Sequence, residues 1–203
     1  PTRGVIPAKI VQNWLGLMAP MNQKFMRMFV IGMEIGVAYT EAIEQILAHP
    51  DLSKWKYILT LEEDNSSPPD GLLKLLKDMD EHPEYSCIGG LYFCKGDGGC
   101  AHIWGDPNDP VLNFRPQVPI PNTVQECCGS SMGFHLWRME IFKDDRLRKP
   151  WFKTQTDGGV ATQDLYFWGD ARKHGYRCAI DCSIKVGHYD LEGKRGGLPD
   201  MVW

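Results

Sequence analysis

The run Tyr57-Ile58-Leu59-Thr60-Leu61-Glu62-Glu63-Asp64-Asn65, followed by Ser66-Ser67-Pro68-Pro69, constrains this chain more than any other stretch. Five apolar or β-branched residues are too few for a helix, and a polar run with two prolines stops them. The spacing therefore predicts a buried strand over 57–61. Three consecutive acids sit where that strand ends. In an open α/β sheet, side chains at the carboxyl end of a strand project into the crevice where ligands bind. Carboxylates this close repel one another unless a cation lies between them, and hard oxygen ligands suit Mg²⁺ or Mn²⁺. The plain alternative is a solvated acidic turn. The apolar strand before the acids and the helix start after them favour a site.

Around that stretch, strand and helix signals alternate. Apolar residues recur at helical spacing over 5–17, and Met18-Ala19-Pro20 breaks the pattern. The segment 24–31 (KFMRMFVI) reads as a strand, 36–47 as a helix ended by His49-Pro50, and 68–79 as a helix opened by proline. This alternation argues for a mostly parallel sheet covered on both faces by helices. The second half differs. A strand over 86–93 carries Gly89 and Gly90, which admit close approach of a backbone or ligand, and 101–104 is expected to return as a hairpin. Residues 105–122 form a long Pro- and Asn-rich loop. A short strand over 124–128 leads into Gly129-Ser130-Ser131-Met132-Gly133, and a helix is expected around 136–142. Thr162 is a plausible N-cap for a helix closed by Gly175, and a last strand over 176–186 leads to Gly187-His188-Tyr189-Asp190.

Length and composition bound the reading. The chain of 203 residues suits one α/β domain, and 43% hydrophobic with 24% charged residues is ordinary for a globular protein. A net charge of −4 gives no general electrostatic case for nucleic acid, although an acceptor of that kind stays open. No apolar run approaches the ~20 residues of a membrane span, and no secretory signal is present. Seven cysteines without a CxxC pair point to reduced thiols and a cytoplasmic setting. A zinc site from Cys100, His102 and Cys127 or Cys128 can be drawn, but its spacing does not support it. A chain that opens on Pro1 is expected to be part of a longer one.

Four features occur in order: the acidic strand end, the small residues at 129–133, Asp164 at a helix start, and His188 after the last strand. That set resembles GT-A fold glycosyltransferases, most closely the large inverting family that uses nucleotide sugars. The resemblance spans nearly the whole chain. It implies a single domain over 1–203 with a nucleotide-binding half (1–85) and an acceptor-side half (86–203), a sheet with a smaller antiparallel portion on the acceptor side, and a first strand lying ahead of Pro1. Glu62 and Asp64 stand where the family has a DxD motif, with Glu in place of the first Asp. With His188 they are the implied ligands of Mn²⁺ or Mg²⁺, and imidazole favours manganese. Pro1, Thr2, Glu62, Glu63, Gly90, Lys194 and Arg195 are the implied contacts to a UDP- or GDP-sugar donor. Gly129, Met132 and Gly133 are implied to line the acceptor side. Asp164 corresponds to the general base that deprotonates the acceptor hydroxyl, with Gln163 replacing its usual acidic partner.

Two other readings stay open. A nucleotidyltransferase uses the same carboxylate–metal logic, although no P-loop is present. A non-catalytic relative that binds sugar or nucleotide fits the Glu62 and Gln163 departures.

Overall fold

The computed structural model describes residues 1–95, 99–155, 162–190 and 200–203. In chain order they form α1 (Ala8–Leu15), α2 (Ile35–Ala48), β1 (Tyr57–Leu61), β2 (Asn65–Ser66), α3 (Gly71–Glu81), β3 (Cys87–Leu91), β4 (Ile103–Trp104), β5 (Val124–Cys127), β6 (Gly129–Ser130), β7 (Phe134–Arg138), α4 (Gln163–Ala171), β8 (Cys178–Lys185), β9 (Gly187–Asp190) and β10 (Asp200–Val202). The expected Lys194 and Arg195 contacts lie outside the described residues.

Five strands make the central sheet in the order β1-β7-β3-β8-β5. Side chains alternate across it, as a pleated strand requires. On β8, Cys178, Ile180 and Cys182 join one core with Tyr39, Ile43, Trp137, Phe167 and Trp168. Ala179 and Ile184 face the opposite core with Leu72, Leu75, Met79, Ile88 and Leu136. Helices α2 and α4 cover the first face and α3 the second, so the architecture is mixed α/β with both sheet faces buried. Helix α2 starts where the Glu34 carboxylate accepts from Gly36 N (2.9 Å) and Val37 N (3.0 Å), satisfying two orphan donors of its first turn.

Three expectations change. The sheet is mixed and mostly antiparallel, with β3–β8 its one parallel pair among the described strands. The two expected halves share it, since β1 pairs with β7. Residues 134–138 are a strand rather than a helix. Phe134 and Leu136 enter one core and Trp137 the other, a period-two alternation that a short apolar run does not separate from a helical one. The helix expected there reduces to a 3₁₀ turn at Met139–Lys143. The segment 24–31 forms no strand, because its backbone pairs among the described residues with Thr2 alone, in an isolated parallel bridge at Ile31. Thr2 N donates to Val30 O (2.8 Å), and Gly32 N donates to Thr2 O (2.9 Å). Between this segment and the unpaired edge of β1 lies an apolar cavity of about 540 Å³, bounded by Pro1, Trp14, Phe25, Phe29, Ile43 and Leu59 among others.

Candidate functional site

Strand directions assemble the site. Both β1 and β3 run antiparallel to β7, so they point the same way, and β8 runs parallel to β3. The chain leaving each of the three therefore emerges at one edge of the sheet. After β1 come the acids, after β3 comes Lys95, and after β8 comes β9 with His188. Pairing of β2 with β9 places Asn65 opposite His188, and Tyr189 N donates to Asp64 O (2.6 Å).

The three acids diverge because the chain turns tightly, with Glu62 N donating to Gly133 O (3.0 Å) and Asn65 N to Glu62 O (3.1 Å). Glu63 points to the chain start. It accepts from Thr2 Oγ1 (2.5 Å), Arg3 N (2.8 Å) and Arg3 Nε (2.5 Å). Burial pushes its carboxyl up, and these donors outweigh that and hold it below the usual range. Two of the residues expected to hold the donor, Thr2 and Glu63, are thus brought together but bonded to each other.

Asp64 faces the other way. Its Oδ2 lies 2.5 Å from Lys95 Nζ and 3.6 Å from His188 Nε2. Burial raises its pKa, but His188 and Lys95 prevail and lower it to about 2. The other ring nitrogen, His188 Nδ1, lies 2.8 Å from Phe93 O. A carbonyl can only accept, so Nδ1 carries a proton and Nε2 is turned toward the carboxylate.

Glu62 does not join that pair. Its Oε1 accepts from Tyr39 OH (3.2 Å). Burial, with the charges of Asp64 and Asp164 adding to it, pushes its carboxyl up to about 7. The carboxyl expected to hold a metal beside Asp64 is thus turned to Tyr39. Among the described residues no group of three His, Cys, Asp or Glu side chains is arranged to hold a metal ion. Cys127, drawn above as a zinc ligand, lies instead against Cys178 at 3.8 Å.

Asp164 occupies the first turn of α4 and is 5% exposed. Its Oδ1 accepts from Leu165 N (2.9 Å) and from the Thr162 hydroxyl. Thr162 stands at the N-cap with its side chain turned to Asp164 rather than to the helix backbone. Burial pushes the Asp164 carboxyl up despite these donors.

The small residues have packing roles. A Cβ on Gly90 would sit 2.6 Å from Val186 Cγ2, so its space is filled by the core rather than open to a donor. Gly129 is pressed by Phe114 and Leu165, and Met132 is wholly buried with its carbonyl toward Tyr39. Gly133 fits tightest of these, its absent Cβ falling 2.5 Å from Asn65 Oδ1 and 2.6 Å from Tyr92 OH. Pro1 borders the apolar cavity, whose lining excludes Glu62, Asp64, Asp164 and His188. Sequence reasoning missed Arg3, Tyr39 and Lys95. Lys95 alone carried a signal, as a lysine just beyond a strand end.

The Glu62 shift fixes a sign. Its pKa rises from 4.5 to about 7 on folding, so the folded state binds the extra proton. The stabilisation is full below 4.5 and is lost as pH rises through 7. Glu62→Gln keeps the shape without the charge. It is expected to flatten stability between pH 5 and 8 and to gain about 1–3 kcal/mol over the parent at the upper end. Urea unfolding at both pH values checks this, and parallel profiles for the two proteins would refute it.

No family model matches the chain, and no curated protein does. Among solved structures it is similar to the crystal structure of A197 from STIV, with a TM-score of 0.66 and 14% identity over 93% of this chain and 82% of that one. That likeness is one of fold.

Proposed function

We propose that the chain is a metal-dependent glycosyltransferase of the GT-A kind, moving a sugar from a nucleotide-sugar donor to an acceptor hydroxyl with inversion. The observation that carries this is the Asp64–His188 pair at the shared strand edge, one ring nitrogen held by Phe93 O and the other turned to the carboxylate. A fixed imidazole beside a carboxylate is a donor set that suits Mn²⁺. Two protein ligands suffice where substrate phosphates and water complete the shell. When bound, the metal would supply Lewis-acid stabilisation to the departing diphosphate.

The chain's own groups support the rest. Lys95 now neutralises Asp64 and can turn to a phosphate oxygen once another cation takes its place. Asp164, buried and raised, is the base that takes the proton of the acceptor hydroxyl. Lys194 and Arg195 remain proposed donor contacts. The sheet's mostly antiparallel pairing leaves this reading intact, because β1, β3 and β8 still deliver their ends together. A second reading, a binding relative without turnover, draws on the Lys95 ammonium seated 2.5 Å from Asp64.

The test is a thermal melt with UDP, GDP, TDP and CDP, each with and without Mn²⁺. One diphosphate at a hundredfold excess over its Kd is expected to stabilise the fold by about 2.7 kcal/mol, only with metal and not in Asp64→Ala. A metal-independent shift, or one that survives in Asp64→Ala, would remove the metal site from the reading. Absence of any shift with all four diphosphates would remove the donor site.

A further inference from the structure

Beside the acidic edge, the chain turns back on itself after β3. Phe93 and Ala101 form an antiparallel bridge, Cys94 N donates to Cys100 O (2.9 Å), and His102 N donates to Tyr92 O (3.0 Å). Cys94 and Cys100 are therefore directly opposite one another, with their sulfurs 3.6 Å apart. Opposed residues of an antiparallel pair have Cα atoms about 4.5–5.5 Å apart, inside the range a disulfide spans. Closing the sulfurs from 3.6 Å to a bond of about 2.05 Å asks for side-chain rotation rather than backbone movement. Both residues are partly exposed. The imidazole of His102 adjoins the first sulfur, Nε2 to Sγ 3.4 Å.

A second close pair sets the contrast. Cys127 and Cys178 face each other across β5 and β8 at 3.8 Å, but both are wholly buried, out of reach of a dissolved oxidant.

We propose that Cys94 and Cys100 are a site of reversible oxidation, closing to a disulfide by exchange with a low-molecular-weight disulfide of the glutathione type. Cys94 loses its proton and attacks one sulfur of the small disulfide, expelling a thiolate and leaving a mixed disulfide. Cys100 then loses its proton and attacks the Cys94 sulfur, expelling the second thiolate. Two protein S–H bonds break and one S–S bond forms, while the small disulfide takes up two electrons and two protons. The bond would pin the hairpin that carries Lys95, the partner of Asp64, and the Phe93 carbonyl that orients His188. The proposal stands on the hairpin alone and does not need the glycosyl-transfer reading.

The test is incubation of the folded protein with excess oxidised glutathione for hours, since burial and Cys100 hold the Cys94 thiol up at about 11 and slow the exchange. Alkylation under denaturing conditions, trypsin digestion and non-reducing mass spectrometry follow. Trypsin cuts after Lys95, between the two cysteines, so a disulfide joins two peptides that separate on reduction. The expected result is that pair, a loss of two of the seven thiols and an intact mass lower by about 2 Da. Cys94→Ser and Cys100→Ser should each prevent it. All seven thiols still free, a stable glutathione adduct, or a Cys127–Cys178 peptide in place of the expected pair would each overturn the proposal. So would protection of the two thiols that a chelator relieves, which would identify a bound metal.

Discussion

Replacing Asp164 with Asn is expected to lower kcat for sugar transfer by about 10²–10⁴-fold while leaving the metal-dependent melt shift with nucleoside diphosphate unchanged. The substitution removes a proton acceptor and little else. Asn keeps an oxygen where Asp164 Oδ1 accepts from Leu165 N and the Thr162 hydroxyl, so the first turn of α4 retains its bonds. Fold stability should hold or rise, because a buried acid with a raised pKa is replaced by a neutral group. Loss of activity together with loss of the melt shift would mean that the change disturbed the donor site. Full activity would show that the buried carboxyl serves α4 alone, through the helix-start role open to any acid in a first turn.

The second large effect concerns the sheet. Gly89 is paired with His135 across β3 and β7, and a Cβ added there would lie 2.1 Å from the imidazole Cδ2 and Nε2. That ring is wholly buried, with Tyr92 and Trp137 as ring neighbours, and burial holds its pKa down at about 3, so it is packed as a neutral group. It has no free direction in which to yield. Gly89→Ala is therefore expected to cost about 3 kcal/mol, at the upper end for overpacking, and to lower Tm by roughly 6–12 °C for a domain of this size. His135→Ala alone leaves a cavity and also destabilises. The double variant should be more stable than the sum of the two costs by over ~1 kcal/mol, because the alanine methyl then enters vacated space. Additive costs in a thermal or urea series would refute the clash.

The same ring shows where sequence reading stops. Gly89 and Gly90 stood out in the sequence as places of close approach, and both are, but the approaching groups are His135, Val186 and Ile184 rather than a ligand. A glycine in a strand tells that something comes near without telling what. The helix expected around 136–142 was wrong over 136–138, because a short, mostly apolar run satisfies either period. Only the two cores on either side of β7 select the strand. Glu62, Glu63 and Asp64 looked alike as a charged triplet. One turn of backbone sends them to Tyr39, to Thr2 and Arg3, and to Lys95 and His188, and gives the first and last carboxyls pKa values near 7 and 2.

By itself the sequence determined the local elements whose signals are complete within a few residues. These are the strand Tyr57–Leu61 with its acidic end, the helices Ile35–Ala48 and Gly71–Glu81, and the helix start at Gln163. Apolar period, prolines and caps act over one or two turns, so they are legible without partners. Strand direction and neighbour order were decided by the tertiary structure. They depend on backbone pairing between residues far apart in the chain, which side-chain pattern does not encode. That pairing turned a parallel expectation into a mixed sheet, yet it aligned β1, β3 and β8 so that Asp64, Lys95 and His188 meet at one edge.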